Sequence, residues 1–244
     1  MRTLTAISLL ALTQSAALAQ SAGARPAFEV ASVKPNTSGT RHSHTQTSAS
    51  RLSMTNVTLQ RCIENAYNIK SFLLSGPGWL DSERFDITAK VPAGSSEREF
   101  GAMLQTLLAD RFKLAVHREP KTLSGYALLV GKGGPKLQEV AAGQKSSMNS
   151  ENTKLTAQSA SMVKLAEFLA GVLDGPVVDM TELAGAYDFN LEWVSDESTA
   201  TAGGPAGPSL FTALQEQLGL RLRSQKVPVE ILVVDHAEKV PKEN

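Results

Sequence analysis

The sequence predicts an α+β protein made of two tandem related β-α-β-β-α-β-β units, each a mostly antiparallel sheet with two helices on one face. Three observations predict it. Runs of the first half return in the same order in the second: Leu59, Cys62 and Ile63 as Met162, Leu165 and Ala166; Gly76-Pro77 as Gly175-Pro176; residues 85–91 as 187–193; Leu104-Gln105 as Leu214-Gln215. Some of these runs place apolar residues at helical spacing and others alternate them strictly, which separates amphipathic helices from half-wet strands. Hydrophobic residues make up 42% of the 244-residue chain, enough for packed cores.

The elements follow in order. Arg2, an apolar run at residues 4–12 and the small-x-small pattern Ala17-Leu18-Ala19 read as an export signal spanning residues 1–19. The run is far shorter than the roughly 20 residues that span a bilayer. Residues 20–51 hold a strand at 28–33, with no clear partner in the second unit, and a polar loop at 36–50. The first unit, 52–137, opens with a strand at 52–57. Leu59, Cys62, Ile63, Ala66 and Tyr67 then form one helical stripe, and Gly76-Pro77-Gly78 makes a turn. Phe85, Ile87, Ala89 and Val91 alternate with Asp86, Thr88 and Lys90. Ser96 with Glu99 is a capping box for a helix bearing Phe100, Met103, Leu104, Leu107 and Leu108. Phe112, Leu114 and Val116 alternate, residues 126–130 form a buried strand, and Gly131 to Pro135 breaks it.

A polar link at 138–154 leads to the second unit, 155–240. Its first helix carries Met162, Leu165, Ala166, Leu169, Val172 and Leu173. Tyr187, Phe189, Leu191 and Trp193 alternate as a strand. A flexible Ala/Gly/Ser/Thr-rich loop occupies 195–207. Ser209 caps a last helix with Leu210, Ala213, Leu214 and Leu218, and Leu220 with Leu222 matches Phe112 with Leu114.

Twenty-four basic residues balance 24 acidic ones. That balance argues against a nucleic-acid partner or an anionic membrane surface. Cys62 is the only cysteine, so no intramolecular disulfide forms. With no later long apolar stretch, and with Gln20 rather than a cysteine directly after Ala19, neither membrane insertion after signal cleavage nor a lipid anchor at that site is expected.

Motifs with chemical potential each have a plainer reading. His42 and His44 lack a nearby third ligand, so a solvated loop is expected and no metal or other cofactor. His117 beside Glu119 has the residue types of a general base. Its counterpart is Gln225, however, and no nucleophile motif accompanies it. The stretch from Gly131 to Lys136 lacks the ending of a phosphate loop and reads as a turn. Cys62 sits on an apolar stripe and reads as core, as does Trp193. Trp79 follows the Gly-Pro-Gly turn, with Asp81 and Arg84 close behind, an arrangement suited to protein or glycan contact or to plugging the end of a sheet. The candidate binding residues are therefore Trp79, Asp81, Arg84 and His117; no catalytic residue is assigned.

Several runs carry a family resemblance: Phe28-Glu-Val-Ala-Ser-Val-Lys-Pro35, Asn56-Val-Thr-Leu59, Ser75-Gly-Pro-Gly-Trp-Leu-Asp81 with Arg84-Phe-Asp-Ile87, Leu108-Ala-Asp-Arg-Phe-Lys-Leu114, Val177-Val-Asp179 leading to Tyr187-Asp-Phe189, and Gly207-Pro-Ser-Leu-Phe-Thr-Ala-Leu-Gln-Glu-Gln-Leu-Gly219. Together they resemble the soil-associated, largely acidobacterial family of exported proteins of unknown function. The resemblance implies many paralogues, some with the domain behind a membrane metallopeptidase of the beta-lactam-sensor type. This chain has no His-Glu-x-x-His, so peptidase activity is not implied, and the family supplies no catalytic residues to carry over.

The residues favour an exported, periplasmic or extracellular, non-enzymatic binding or sensing protein. An envelope protein, a peptide or a glycan is the expected partner, met at sheet edges or in the groove between the units. The alternatives are a cell-envelope hydrolase using His117 or a carboxylate pair, and a purely structural envelope module. Cleavage after Ala19 is expected, and mass spectrometry of the exported chain checks it; an intact N-terminus would contradict the export signal.

Overall fold

The computed structural model describes residues 25–40, 42–141, 143–194 and 207–242. The expected export signal, and all of the 195–207 loop except Gly207, lie outside the described residues. The fold is α+β, with mostly antiparallel sheets and, among the described residues, four α-helices.

The first sheet has the order β1-β5-β3-β2, formed by β1 (Val30–Pro35), β2 (His44–Thr47), β3 (Arg51–Thr58) and β5 (Arg84–Lys90), all antiparallel. Helices α1 (Leu59–Tyr67) and α2 (Glu97–Phe112) enclose its core. The Thr58 hydroxyl accepts from Arg61 N and starts α1, whose Leu59, Cys62, Ile63 and Ala66 are buried as the spacing requires. At the start of α2 the Glu99 carboxylate accepts from the backbone and hydroxyl of Ser96, at 2.7 and 2.9 Å.

The third sheet has the order β7-β11-β9-β8, from β7 (Gln138–Val140), β8 (Ser147–Glu151), β9 (Lys154–Ala160) and β11 (Ala186–Glu192). Its core receives α3 (Met162–Val172) and α4 (Leu210–Gln217), whose caps Ser161 and Ser209 accept from Lys164 N and Thr212 N. Between these two layers lies the central sheet, β10-β6-β12-β4. There β6 (Ala115–Val130) and β12 (Leu220–His236) form a long antiparallel ribbon. Two short strands, β4 (Leu74–Ser75) on β12 and β10 (Val177–Asp179) on β6, pair with it in parallel.

The expected one sheet per unit is thus corrected: the described residues form three sheets. The final two strands expected in each unit are in fact one. Phe112 ends α2, Lys113 takes a left-handed conformation (φ 53°), and the strand then runs unbroken from Ala115 to Val130. Leu220 to His236 is likewise continuous. Through His117 to Ser124 most side chains are exposed, so no dry face imprints the period-two pattern that reveals a strand. The 28–33 strand corresponds to β1, the edge of the first sheet. The polar stretches at 138–154 and 36–50 contain β7, β8 and β2, all short edge strands whose pairing is carried by backbone rather than by apolar side chains. The two Gly-Pro pairs also differ in place: Gly76-Pro77 follows β4, whereas Gly175-Pro176 precedes β10.

Each outer sheet has an irregular register beside one carboxylate. Asn56 (φ 55°) donates its backbone N–H to Asp86 Oδ1 at 2.8 Å, and Ser159 (φ 47°) donates to Asp188 Oδ1 at 2.7 Å. Asn36 Nδ2 also donates to Asp86 Oδ1, and Arg84 Nη1 donates to Asn56 O. Both bulged residues are buried, so an unpaired N–H there is costly. Asp86→Ala is expected to lower stability by about 1–3 kcal/mol, the penalty of an unsatisfied buried donor. Urea unfolding measures it, and an unchanged midpoint would remove the carboxylate from this role.

Candidate functional site

Helices α1 and α3 stop near one another, and a groove opens where they stop. Asn68 ends α1 in a left-handed conformation (φ 50°), and Ile69 N donates to Glu64 O. The chain then makes a 3₁₀ turn at Ser71–Leu73 before β4 docks on β12. In the second half Gly175 N donates to Ala170 O beyond α3, and the chain passes through Pro176 into β10. Lys70 reaches across from the first half: its ammonium would lie 3.2 Å from a Cβ placed on Gly171 near the end of α3. A cation there meets the negative end of the helix dipole.

The groove has a volume of about 700 Å³ and is lined by both halves of the chain. Its apolar surface comes from Phe72 and Leu73 of the 3₁₀ turn, Met148 of β8, Phe168 of α3, Val177 of β10 and Val229 of β12. All six are half-buried. Phe168 meets Trp193 edge to face, with ring centroids 6.2 Å apart, which ties that wall to the second core. Exposed charges stand at the rim: Lys70, Lys164, Glu167 and Glu230. Lys164 Nζ donates to Ser146 Oγ at 2.9 Å, and Glu230 accepts from Arg118 Nη1 at 2.8 Å. A concave apolar surface of this size, with polar ends at its mouth, has the dimensions and chemistry of a small-ligand or peptide site.

None of the residues chosen from the sequence lines this groove. Trp79 lies on a 3₁₀ turn, Gly78–Asp81, and packs half-buried against the first core, with Lys239 Nζ 5.7 Å from its ring centroid. Lys239 also approaches Glu83 at 3.5 Å. Asp81 is exposed on the same turn, and Arg84 is committed to the Asn56 bulge. His117 stands elsewhere, on β6. Among the described residues no hydrogen bond or ion pair joins it to Trp79, Asp81 or Arg84. The groove leaves no mark in the sequence because its wall is assembled from single residues of separate elements, among them Phe72 of a turn, Phe168 of α3 and Val229 of β12, and no periodicity marks these as facing one cavity.

The other motifs resolve individually. His42 and His44 are exposed, and the His42 carbonyl accepts from Asn56 Nδ2. Among the described residues no group of three or more His, Cys, Asp or Glu side chains is placed to hold a metal ion. Burial pushes the Cys62 thiol up to about 12, so it stays protonated and packs as a small apolar side chain.

Residues 60–237 match the family described as "Protein of unknown function (DUF3738)". The chain belongs to that family. No curated protein and no solved structure matches it. In this DUF3738 protein the matched span takes in most of α1, the groove, both ribbon strands and the second core, and leaves β1, β2 and β3 of the first sheet outside it. Among the described residues no helix is long and apolar enough to cross a membrane.

His117 is the one histidine with a marked electrostatic setting. Its Nδ1 lies 2.8 Å from Asp235 Oδ1 and its Nε2 3.7 Å from Glu119 Oε2. Asp235 occupies the irregularity in the ribbon between Val234 and His236, which lets its carboxylate meet His117 across the strands. The hydrogen bond to Asp235, helped by the charges of Asp235 and Glu119, raises the His117 pKa above its ordinary value. With the folded pKa raised, the stabilisation is fully present below the unfolded value of about 6.5 and is lost as pH rises through the folded one. His117 is exposed, so solvent screens the pair. Proton NMR titration is expected to place the His117 midpoint above that of a free histidine and to return it toward that value in Asp235→Asn. An identical midpoint in the variant would contradict the assignment.

Proposed function

We propose that this DUF3738 protein is an exported, non-enzymatic binding module that takes a peptide or amphipathic small ligand in the groove between its two halves. The observation that carries the reading is the groove itself. Both halves contribute apolar walls, the charges stand at its mouth, and its size falls in the range of about 300–1,000 Å³ typical of ligand sites. The basic, apolar and small-residue pattern of residues 1–19 supports export to the periplasm or beyond. The resemblance to domains carried behind membrane metallopeptidases supports a sensing or partner-binding role, by analogy alone.

The same reading holds that the chain comprises two tandem units whose parallel strands are exchanged. Its support is that β4 meets β12 at Leu232 and Val233 much as β10 meets β6 at Tyr126 and Ala127. The two carboxylate-braced bulges add to it. On this correspondence the counterpart of His117 is Arg223, which the ladder pairs with Ala127 as it pairs His117 with Val233.

A hydrolase is the second reading, and the His117–Asp235 pair favours it, since a carboxylate that orients an imidazole is part of a general base. The pair is exposed and lies off the groove, which leaves no enclosed place for a substrate. One experiment separates the two. Purified mature chain is screened by thermal unfolding against hydrophobic peptides and amphiphiles, and a ligand in excess of its dissociation constant is expected to raise the melting temperature. Phe72→Ser should abolish that rise while the ligand-free melting temperature stays close to that of the parent. Turnover of a peptide, ester or glycan substrate that His117→Ala abolishes would overturn the binding reading.

A further inference from the structure

At the far end of the ribbon, the turn between β6 and β7 folds over the start of β12. Gly131 N donates to Gly219 O at 2.8 Å, Lys136 N donates to Leu218 O at 2.8 Å, and Gly134 N closes the turn on Gly131 O. Gly219 is left-handed (φ 65°), and a Cβ there would collide with Gly134 O, so the loop backbone lies directly on it. Beneath the loop is a cavity of about 420 Å³, lined by Arg221, Lys132, Lys136, Gln215 and the loop glycines, with no Asp or Glu in its wall. Arg221 Nε is fully buried and has no hydrogen-bond partner. Among the described residues Arg221 makes no ion pair either. A dry, unpaired donor on a charged group is costly, and native structures rarely keep one without a purpose.

We propose that this cavity is a binding site for a phosphate group. Arg221 offers a planar fork of donors suited to a tetrahedral oxyanion, and Lys132 adds an exposed second cation. The glycines keep side chains away, so an anion can approach the backbone. Among the described residues the Lys132 and Gly133 N–H groups make no backbone hydrogen bond, and they complete the donor set. The cavity borders the C-terminal end of α4, whose carbonyls would repel an anion if left bare. Part of that charge is met: Glu216 O accepts from Lys136 Nζ, and just beyond the helix Leu218 O accepts from Lys136 N and Gly219 O from Gly131 N. The turn lacks the ending and the following helix of a nucleotide-binding phosphate loop, so the site depends on cationic side chains more than on a helix N-terminus. It is independent of the groove, and either can fail without the other.

The test titrates inorganic phosphate into the mature chain at low chloride and follows backbone amide NMR shifts. Saturable shifts confined to Gly131, Lys132, Gly133, Gly134 and Gly219 are expected. Arg221→Gln should weaken binding by about tenfold or more, since it removes a charged donor pair. Lys132→Gln lies on the surface and leaves the fold intact, so a weaker affinity in that variant supports the site even if Arg221→Gln unfolds. A second arm uses co-sedimentation with phosphatidic acid vesicles. Capture by vesicles but not by free phosphate, lost in the same variants, assigns a lipid headgroup as the source. Saturation by free phosphate alone assigns a soluble anion. No saturable shift with phosphate and no capture by vesicles, or binding that both variants leave unchanged, overturns the proposal.

Discussion

The ladder between β6 and β12 is the constraint on which the rest of the molecule depends. It holds from Leu220 opposite Val130 to Val234 opposite Val116, and each strand serves both cores. Strand β6 leaves the first core just after Leu114 and delivers Leu128 to the second. Strand β12 leaves the second core at Leu220 and delivers Leu232 and Val234 to the first. A slip of one residue would turn these side chains to the wrong face and uncover both cores together. The two layers are therefore bound by the pairing of one ribbon rather than by a large apolar contact between them. The exposed middle of that ribbon carries Pro120 and Pro228 among charged neighbours. A proline cannot donate to a further strand, so the long free edges resist pairing with other chains.

The segments after each ribbon strand complete the coupling by closing a helix of the opposite half. The turn after β6 donates to Leu218 O and Gly219 O beyond α4. The segment after β12 donates from Glu238 N to Phe112 O and from Lys242 N to Arg111 O at the end of α2. Terminal helix carbonyls need partners, and those of Arg111 and Phe112 in α2 find theirs across the molecule, as do the carbonyls just past α4. The two ends nevertheless differ. Lys113 tolerates its left-handed conformation beside α2, whereas the close approach of Gly134 beyond α4 admits only glycine at position 219. The tighter of the two ends is the one that encloses a cationic cavity.

Elements with one dry face were legible in the sequence. The stripe of Leu59, Cys62, Ile63 and Ala66, and the alternations of residues 85–91 and 187–193, report burial directly, and each is a helix or strand in the fold. The ribbon was legible only at its ends, because residues 117–124 face water and carry no apolar period. Strands β2, β7 and β8 were hidden for a related reason: polar edge strands owe their pairing to backbone groups that every residue possesses. Of the site, the sequence marked charged and aromatic residues near turns. Arg84 is engaged in bracing a bulge and Trp79 in covering a core, so residue type alone misdirected. Arg221 gave no signal, since an arginine in a strand carries meaning only once the absence of its partner is visible.

The groove follows from the same geometry and bears on what kind of function it can support. Because β4 and β10 dock on the strand of the other half, the ends of α1 and α3 are drawn toward one another, and the space between them belongs to neither half alone. An occupant touching Phe72 and Phe168 would bridge both layers and stabilise their relative placement, which suits recognition. Catalysis asks for something else: dipoles held in a dry enclosure and aimed at developing charge. The groove keeps its charged groups at a solvated rim, and among the described residues the one imidazole paired with a carboxylate sits in the open on the ribbon. The fold thus concentrates apolar contact where the halves meet and leaves the charges of the groove rim and the His117–Asp235 pair in solvent, the distribution on which the proposed binding reading rests.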